Sequence, residues 1–291
     1  MFFHQMGLQF EAKPDAPDPI YAAKLQELLG GAWGEITVAM QYLFQGWNCR
    51  MPGKYKDMLM DIGTEELAHV EMLANMIGQL LEGAPLKAQE EALASNPALA
   101  AVIGGMNVQA AIVGGGGATP SDSAGVPWNG RYIVASGNLL ADFRANVAAE
   151  SQGRLQAIRL YEMTDDRGVK DLLSFMIARD TMHQNQWLAA IEQLKEDGLE
   201  QTPCPSDFPP ELENQTYSYQ YWACSGDGAS DSKQGRWASG PSMDGRGKFE
   251  YVAKPAPLAK MPPPPKSEPK LYLTGRGGMM QKVIDKVTDP L

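Results

Sequence analysis

Three observations predict an all-α fold, a four-helix bundle closed by one long crossover. Four long segments carry apolar residues at helical spacing. The first and second are joined by the short turn R-M-P-G, the third and fourth by T-D-D-R-G, each a link of an antiparallel helical hairpin. More than fifty residues separate the second segment from the third, and they include Gly114 to Gly117 and the stretch T-P-S-D-S-A-G-V-P. Two hairpins and one crossover is the ferritin-like way of closing a bundle.

The first helix is predicted from about Pro19 to Trp47, with Asp18 as N-cap and Pro19 at the first helical position. Gly30, Gly31 and Gly34 weaken it by roughly 1 kcal/mol each, a cost tolerated where helices pack closely. The second runs from about Tyr55 to Leu81 and stops at Gly83, with Pro85 just beyond. The third spans about Leu139 to Met163; the fourth, about Val169 to Lys195, stops at Gly198. The apolar stretch Pro97 to Val113 predicts a further short helix lying across the bundle. After Gly198 the alternation T-Y-S-Y-Q-Y-W predicts a short strand or two. Seven prolines between 255 and 269 predict an extended C-terminal arm, either a disordered tail or a wrap onto neighbouring subunits. The expected organisation is a bundle over residues 1–200 and a Pro-rich, subunit-contacting arm with short β segments over 201–291.

Composition narrows the function. Hydrophobic residues make up 44% of 291 and charged residues 21%, so a core-forming globular protein is expected. A net charge of −10 argues against nucleic acid as partner. Residues 241–291 carry +4 and the preceding body −14, so the arm complements an acidic surface. Three cysteines without C-x-x-C spacing indicate neither a disulfide framework nor a zinc knuckle. The opening MFFHQMGLQF lacks the pattern of a signal peptide, and no stretch approaches ~18 apolar residues. A cytoplasmic protein with no membrane partner is expected.

Polar groups inside apolar helical stripes locate the chemistry, because an unpaired buried charge is costly. Glu35 shares a face with Val38, Ala39 and Tyr42; Glu66 with Leu59, Ile62, Val70 and Leu73. Glu150 shares one with Phe143, Val147 and Ala157; His183 with Met176, Trp187 and Ala190. Each helix therefore places a metal-capable side chain on its core side. Residues i and i+3 project together, so Glu66 and His69 can bind one ion. A dimetal site in a bundle core needs a Glu from each of two helices and a Glu-x-x-His from each of the others. Here those elements are Glu35, Glu66-Leu67-Ala68-His69, Glu150, and Asp180-Thr181-Met182-His183, with Asp replacing Glu in the last.

The stretches T-E-E-L-A-H-V-E-M (64–72), A-E-S-Q-G-R-L-Q-A-I-R-L-Y-E-M-T-D-D (149–166), R-D-T-M-H (179–183) and G-R-W-A-S-G-P-S-M-D-G (235–245) resemble the manganese catalases. The resemblance covers all but about the last thirty residues. It implies two manganese ions per subunit that disproportionate hydrogen peroxide to water and oxygen, and a homohexamer. It carries over Glu35, Glu66, His69, Glu150 and His183 as manganese ligands. Glu66 would bridge, with Glu35 and His69 at one ion and Glu150 and His183 at the other. Tyr42 either hydrogen-bonds a ligand carboxylate or packs as an ordinary core tyrosine. Asp180 stands where some members carry Glu; Asp180 or a bridging solvent oxygen is the expected proton acceptor beside the pair. Some members close the access channel with an Arg before the third-helix ligand, where this chain has Ala149. Some also bind calcium through an i, i+4 acidic pair, here Asp57 and Asp61, together with the segment around Ser225; a solvated acidic helix start is the plainer reading. Two rivals remain at this stage. One is a di-iron ferroxidase or peroxidase, since ligand type does not separate manganese from iron; the other is a non-enzymatic structural coat protein.

Overall fold

The computed structural model describes residues 7–11, 13–51, 53–83, 112–225, 230–257, 259, 260 and 262. The chain divides into two compact units, Met1–Leu212 and Glu213–Leu291. Among the described residues the first holds five long helices: α1 (Pro19–Gly30), α2 (Glu35–Asn48), α3 (Gly53–Leu80), α4 (Leu139–Glu162) and α5 (Arg167–Glu196). α2 packs mainly on α3 and α4 on α5, the two hairpins that the short turns predict.

One expectation fails. The segment from Pro19 to Trp47 is two helices, broken at residues 31–34. Gly31 leaves the helix with ψ 172° and Gly34 enters the next as N-cap with ψ 171°. Three glycines in five residues remove the side chains that would resist this, and burial on both flanks outweighs continuity of one helix. A Cβ on Gly30 would lie 2.6 Å from the backbone nitrogen of Ser121, so this glycine admits the crossover against the end of α1. The break makes Glu35 the first residue of α2.

The other helix ends follow their capping residues. Asp18, Asn138 and Asp166 accept hydrogen bonds from the amides of Tyr21, Ala141 and Val169, each worth about 1 kcal/mol. α5 ends in a Schellman turn: Leu199 N–H reaches Leu194 O and Gly198 N–H reaches Lys195 O, with Gly198 at φ 67°. α2 and α3 approach closely where Gly63 faces Leu43, since a Cβ there would meet Leu43 Cγ at 3.0 Å.

Among the described residues the core of this first unit forms two apolar clusters. One gathers α1 with the C-terminal part of α3, around Leu25, Leu73, Met76, Leu173 and Met176. The other gathers Tyr42, Tyr55, Leu59, Phe143 and Trp187. Each fully buried large side chain contributes about 1.5–3 kcal/mol. Along α3, Ile62 belongs to the second cluster and Met72 to the first, and Glu66 and His69 lie between them. Along α5, His183 lies between Met176 and Trp187 in the same way. A polar layer therefore crosses the bundle between two apolar layers.

Buried amides clamp the crossover to this frame. Gln26 holds Thr119 and Ser121 by their backbone groups. Gln41 and Gln45 take the amide and carbonyl of Val134 and both bond Asn146. The expected short helix at 97–113 lies almost wholly outside the described residues.

In the second unit, β1 (Gln220–Trp222) pairs in parallel with β3 (Lys248–Val252), which also pairs antiparallel with β2 (Gly240–Pro241). The Tyr-alternating stretch supplies one of these strands, and the other two come later in the chain. Most of the Pro-rich segment lies outside the described residues.

Candidate metal centre

Glu35, Glu66, His69, Glu150 and His183 converge in the polar layer and all are buried, Glu66 and both histidines to 0% exposure. Their donor atoms form two triads, Glu35–Glu66–His69 and Glu66–Glu150–His183, each within 4.8 Å. Glu66 alone belongs to both. Its Oε2 lies 2.8 Å from His69 Nδ1 and its Oε1 lies 2.6 Å from His183 Nδ1. Glu35 Oε2 lies 3.5 Å from His69 Nδ1. The imidazoles face each other with centroids 5.7 Å apart.

This donor set fits a pair of cations. Both oxygens of Glu66 and Nδ1 of each histidine are buried without an aligned hydrogen bond. Such groups are costly unless something occupies their lone pairs. Electrostatics points the same way for the metal-free protein. Burial, then the charge of Glu66, pushes Glu35 up to about 8. Glu150 and Asp180 are pushed well up, first by burial and then by neighbouring carboxylates. Burial opposes a charged His183, yet Glu65 and Glu66 together raise it to about 10. Burial also works against an ionised Glu66, but His69 and His183 hold its carboxyl below the usual range. Protons stand where positive charge is required, and manganese or a similar divalent cation can displace them.

Tyr42 donates to Glu150 Oε1 at 2.6 Å, and Trp187 Nε1 reaches the same oxygen at 3.3 Å. Asp180 is buried on α5 and adds its charge to the field at Glu150, but belongs to neither triad. Ala149 is buried against the second apolar cluster. Asp57 and Asp61 are exposed on α3, and Ser225 lies in the second unit.

Sequence reasoning missed Glu65. Its carboxylate receives Arg179 Nε on Oε1 at 2.6 Å and Arg179 Nη2 on Oε2 at 3.1 Å, and it bonds His183 Nε2 at 3.1 Å. Those bonds, with His183 and Arg179 foremost against partial burial, hold its carboxyl well below the usual range. Helical periodicity places Glu65 off the face of Glu66. The signal available was its i, i+4 relation to His69, with Arg179 four residues before His183.

The model of the manganese-containing catalase family matches residues 1–280. The chain belongs to that family. The manganese catalase of Bacillus subtilis is 58% identical over 262 residues, covering 90% of this chain and 94% of the relative. Another Bacillus subtilis relative, the uncharacterized protein YjqC, is 60% identical over 263 residues, covering 90% and 93%. The crystal structure of KatB, a manganese catalase from Anabaena, matches with a TM-score of 0.67 and 28% identity, covering 88% of this chain and all of that one. As a manganese catalase the chain is a non-heme enzyme of hydrogen peroxide disproportionation, with the dimanganese centre that the family implies. The di-iron and coat-protein readings are not favoured by these relatives.

Proposed function

We propose that Glu35, Glu66, His69, Glu150 and His183 hold the two manganese ions of this catalase, with Glu66 bridging. The single observation that carries this is the shared membership of Glu66 in both donor triads. Glu35 and His69 would serve one ion and Glu150 and His183 its neighbour, a division that the two triads support. The manganese pair supplies the two-electron chemistry by which one peroxide leaves as water and another as oxygen. The protein's own part is binding, orientation and proton placement. Tyr42 fixes Glu150 through its short hydrogen bond. Asp180, buried beside the site, is our candidate for the group that accepts and returns a proton. The apolar layers on either side exclude bulk water.

Calcium finds no comparable donor set among the described residues, where the two triads above are the metal-capable groups. No helix of the described residues is long and apolar enough to cross a membrane. We place the enzyme's action in the cytoplasm, and the +4 C-terminal segment is suited to holding a homohexamer together on acidic neighbours. Residues 1–200 then carry the catalytic bundle and 201–291 the subunit-contact arm. Metal analysis with oxygen evolution tests the proposal: about two manganese per chain, oxygen from peroxide and no Soret band are expected. Iron in place of manganese, or no oxygen from the manganese-loaded protein, overturns it.

A further inference from the structure

Both site histidines turn their outer nitrogens toward a single carboxylate. His183 Nε2 lies 3.1 Å from Glu65 Oε2, and His69 Nε2 lies 3.9 Å from Glu65 Oε1. His69 Nε2 is a buried nitrogen with no hydrogen-bond partner. Glu65 is itself held from outside: Arg179 forks both of its oxygens, and Gln9 Nε2 donates to Oε1 at 2.9 Å. Its side chain is 19% exposed, so it stands at the outer edge of the polar layer.

We propose that Glu65 is the common positioning residue of both imidazoles, fixing each with Nε2–H outward and the Nδ1 lone pair toward the cations. The proposal rests on the ligand assignment above. An ionised carboxylate only accepts hydrogen bonds, so a histidine bonded to it must place its proton on Nε2. Nδ1 is then left bare, and Nδ1 is the atom that faces Glu66 in both histidines. For His69 the gap closes with a movement of about 1 Å to ordinary hydrogen-bond length. Arg179 keeps the carboxylate in place by a bidentate grip, which fixes its plane as well as its position. Gln9 extends the device to the segment before α1, which also stacks Phe10 on Phe175 of α5 at 4.7 Å. One carboxylate therefore orients a ligand on α3 and a ligand on α5.

The distinguishing consequence is that both metal positions depend on one outer residue. Stepwise manganese binding to the metal-free full-length protein, read by chelator competition, tests this in the parent, Glu65→Gln and Glu65→Asp. Loss of an outer partner of a ligating histidine weakens binding by about 10- to 100-fold. Glu65→Gln is expected to weaken both binding steps by similar factors, with helical circular dichroism unchanged. The electron paramagnetic resonance of the coupled manganese pair should fall with it. Glu65→Asp keeps the charge but loses reach, so it should show the same paired loss, and it carries the test if the Gln variant does not fold. Parent-like affinity in either folded variant, or loss at only one step, overturns the proposal. A parent protein that binds no manganese would instead overturn the ligand assignment.

Discussion

Tyr42 and Glu150 meet across the bundle, the phenolic hydroxyl donating to Oε1 at 2.6 Å from a residue 108 positions away. Burial first, and then the charge of Glu150, pushes the Tyr42 phenol well above its ordinary value, so it remains a donor throughout the working pH range. The second donor on that oxygen, Trp187 Nε1, is longer at 3.3 Å. A hydrogen bond to a charged group contributes about 1.5–3 kcal/mol. Tyr42→Phe should therefore weaken manganese binding about tenfold or more. Metal content after dialysis at a set free-manganese level measures it, and full retention would show that Trp187 alone suffices.

Removing the carboxylate proposed to bridge both ions should be far more severe. Glu66→Gln or His69→Ala is expected to lose most bound manganese and nearly all oxygen evolution, since Glu66 serves both triads. A variant keeping full metal and full activity would sink the assignment.

The metal-free protein should lose stability as pH rises. His183 is raised to about 10 from 6.5, and Glu35 to about 8 from 4.5. In both cases the folded chain binds more protons than the unfolded one. The contribution of Glu35 is full below about 4.5 and lost as pH rises through 8; that of His183 is full below about 6.5 and lost through 10. Denaturant midpoints of the apoprotein should thus fall between pH 6 and pH 9. Manganese competes with the same protons, so its stabilising effect should grow over that interval. A midpoint that rises with pH in the apoprotein contradicts this.

Gly30 should resist enlargement. In Gly30→Ala the new methyl meets the Ser121 backbone rather than a flexible side chain, so the crossover must shift. Overpacking of this kind costs about 1–3 kcal/mol. Thermal denaturation should show a fall of about 2 °C or more. An unchanged Tm would mean that the crossover is free to move.

The C-terminal arm can be removed without opening the sheet only after β3. β3 ends at Val252 and pairs with both β1 and β2, so truncation from residue 255 spares all three strands. On the proposed assembly this variant should loosen the oligomer while sparing all five proposed manganese ligands. Light scattering at several concentrations measures the change; an unaltered mass and Tm would show that the arm does not hold subunits together.

Local pattern sufficed for α3, α4 and α5 and for placing Glu66, His69, Glu150 and His183 on core faces. Capping, apolar periodicity and i, i+3 spacing are properties of a few adjacent residues, and the sequence by itself determined them. The tertiary structure decided three other things. It broke the first helix at residues 31–34, because burial on two sides and the approach of Ser121 outweighed the continuity of one helix. It set Gln26, Gln41 and Gln45 to clamping the crossover, bonds that span about ninety residues of chain. It also turned Glu65, which by periodicity belongs to a flank, into the carboxylate that binds Arg179 and His183. Each depends on which distant groups share a space, and the distance along the chain carries no trace of that.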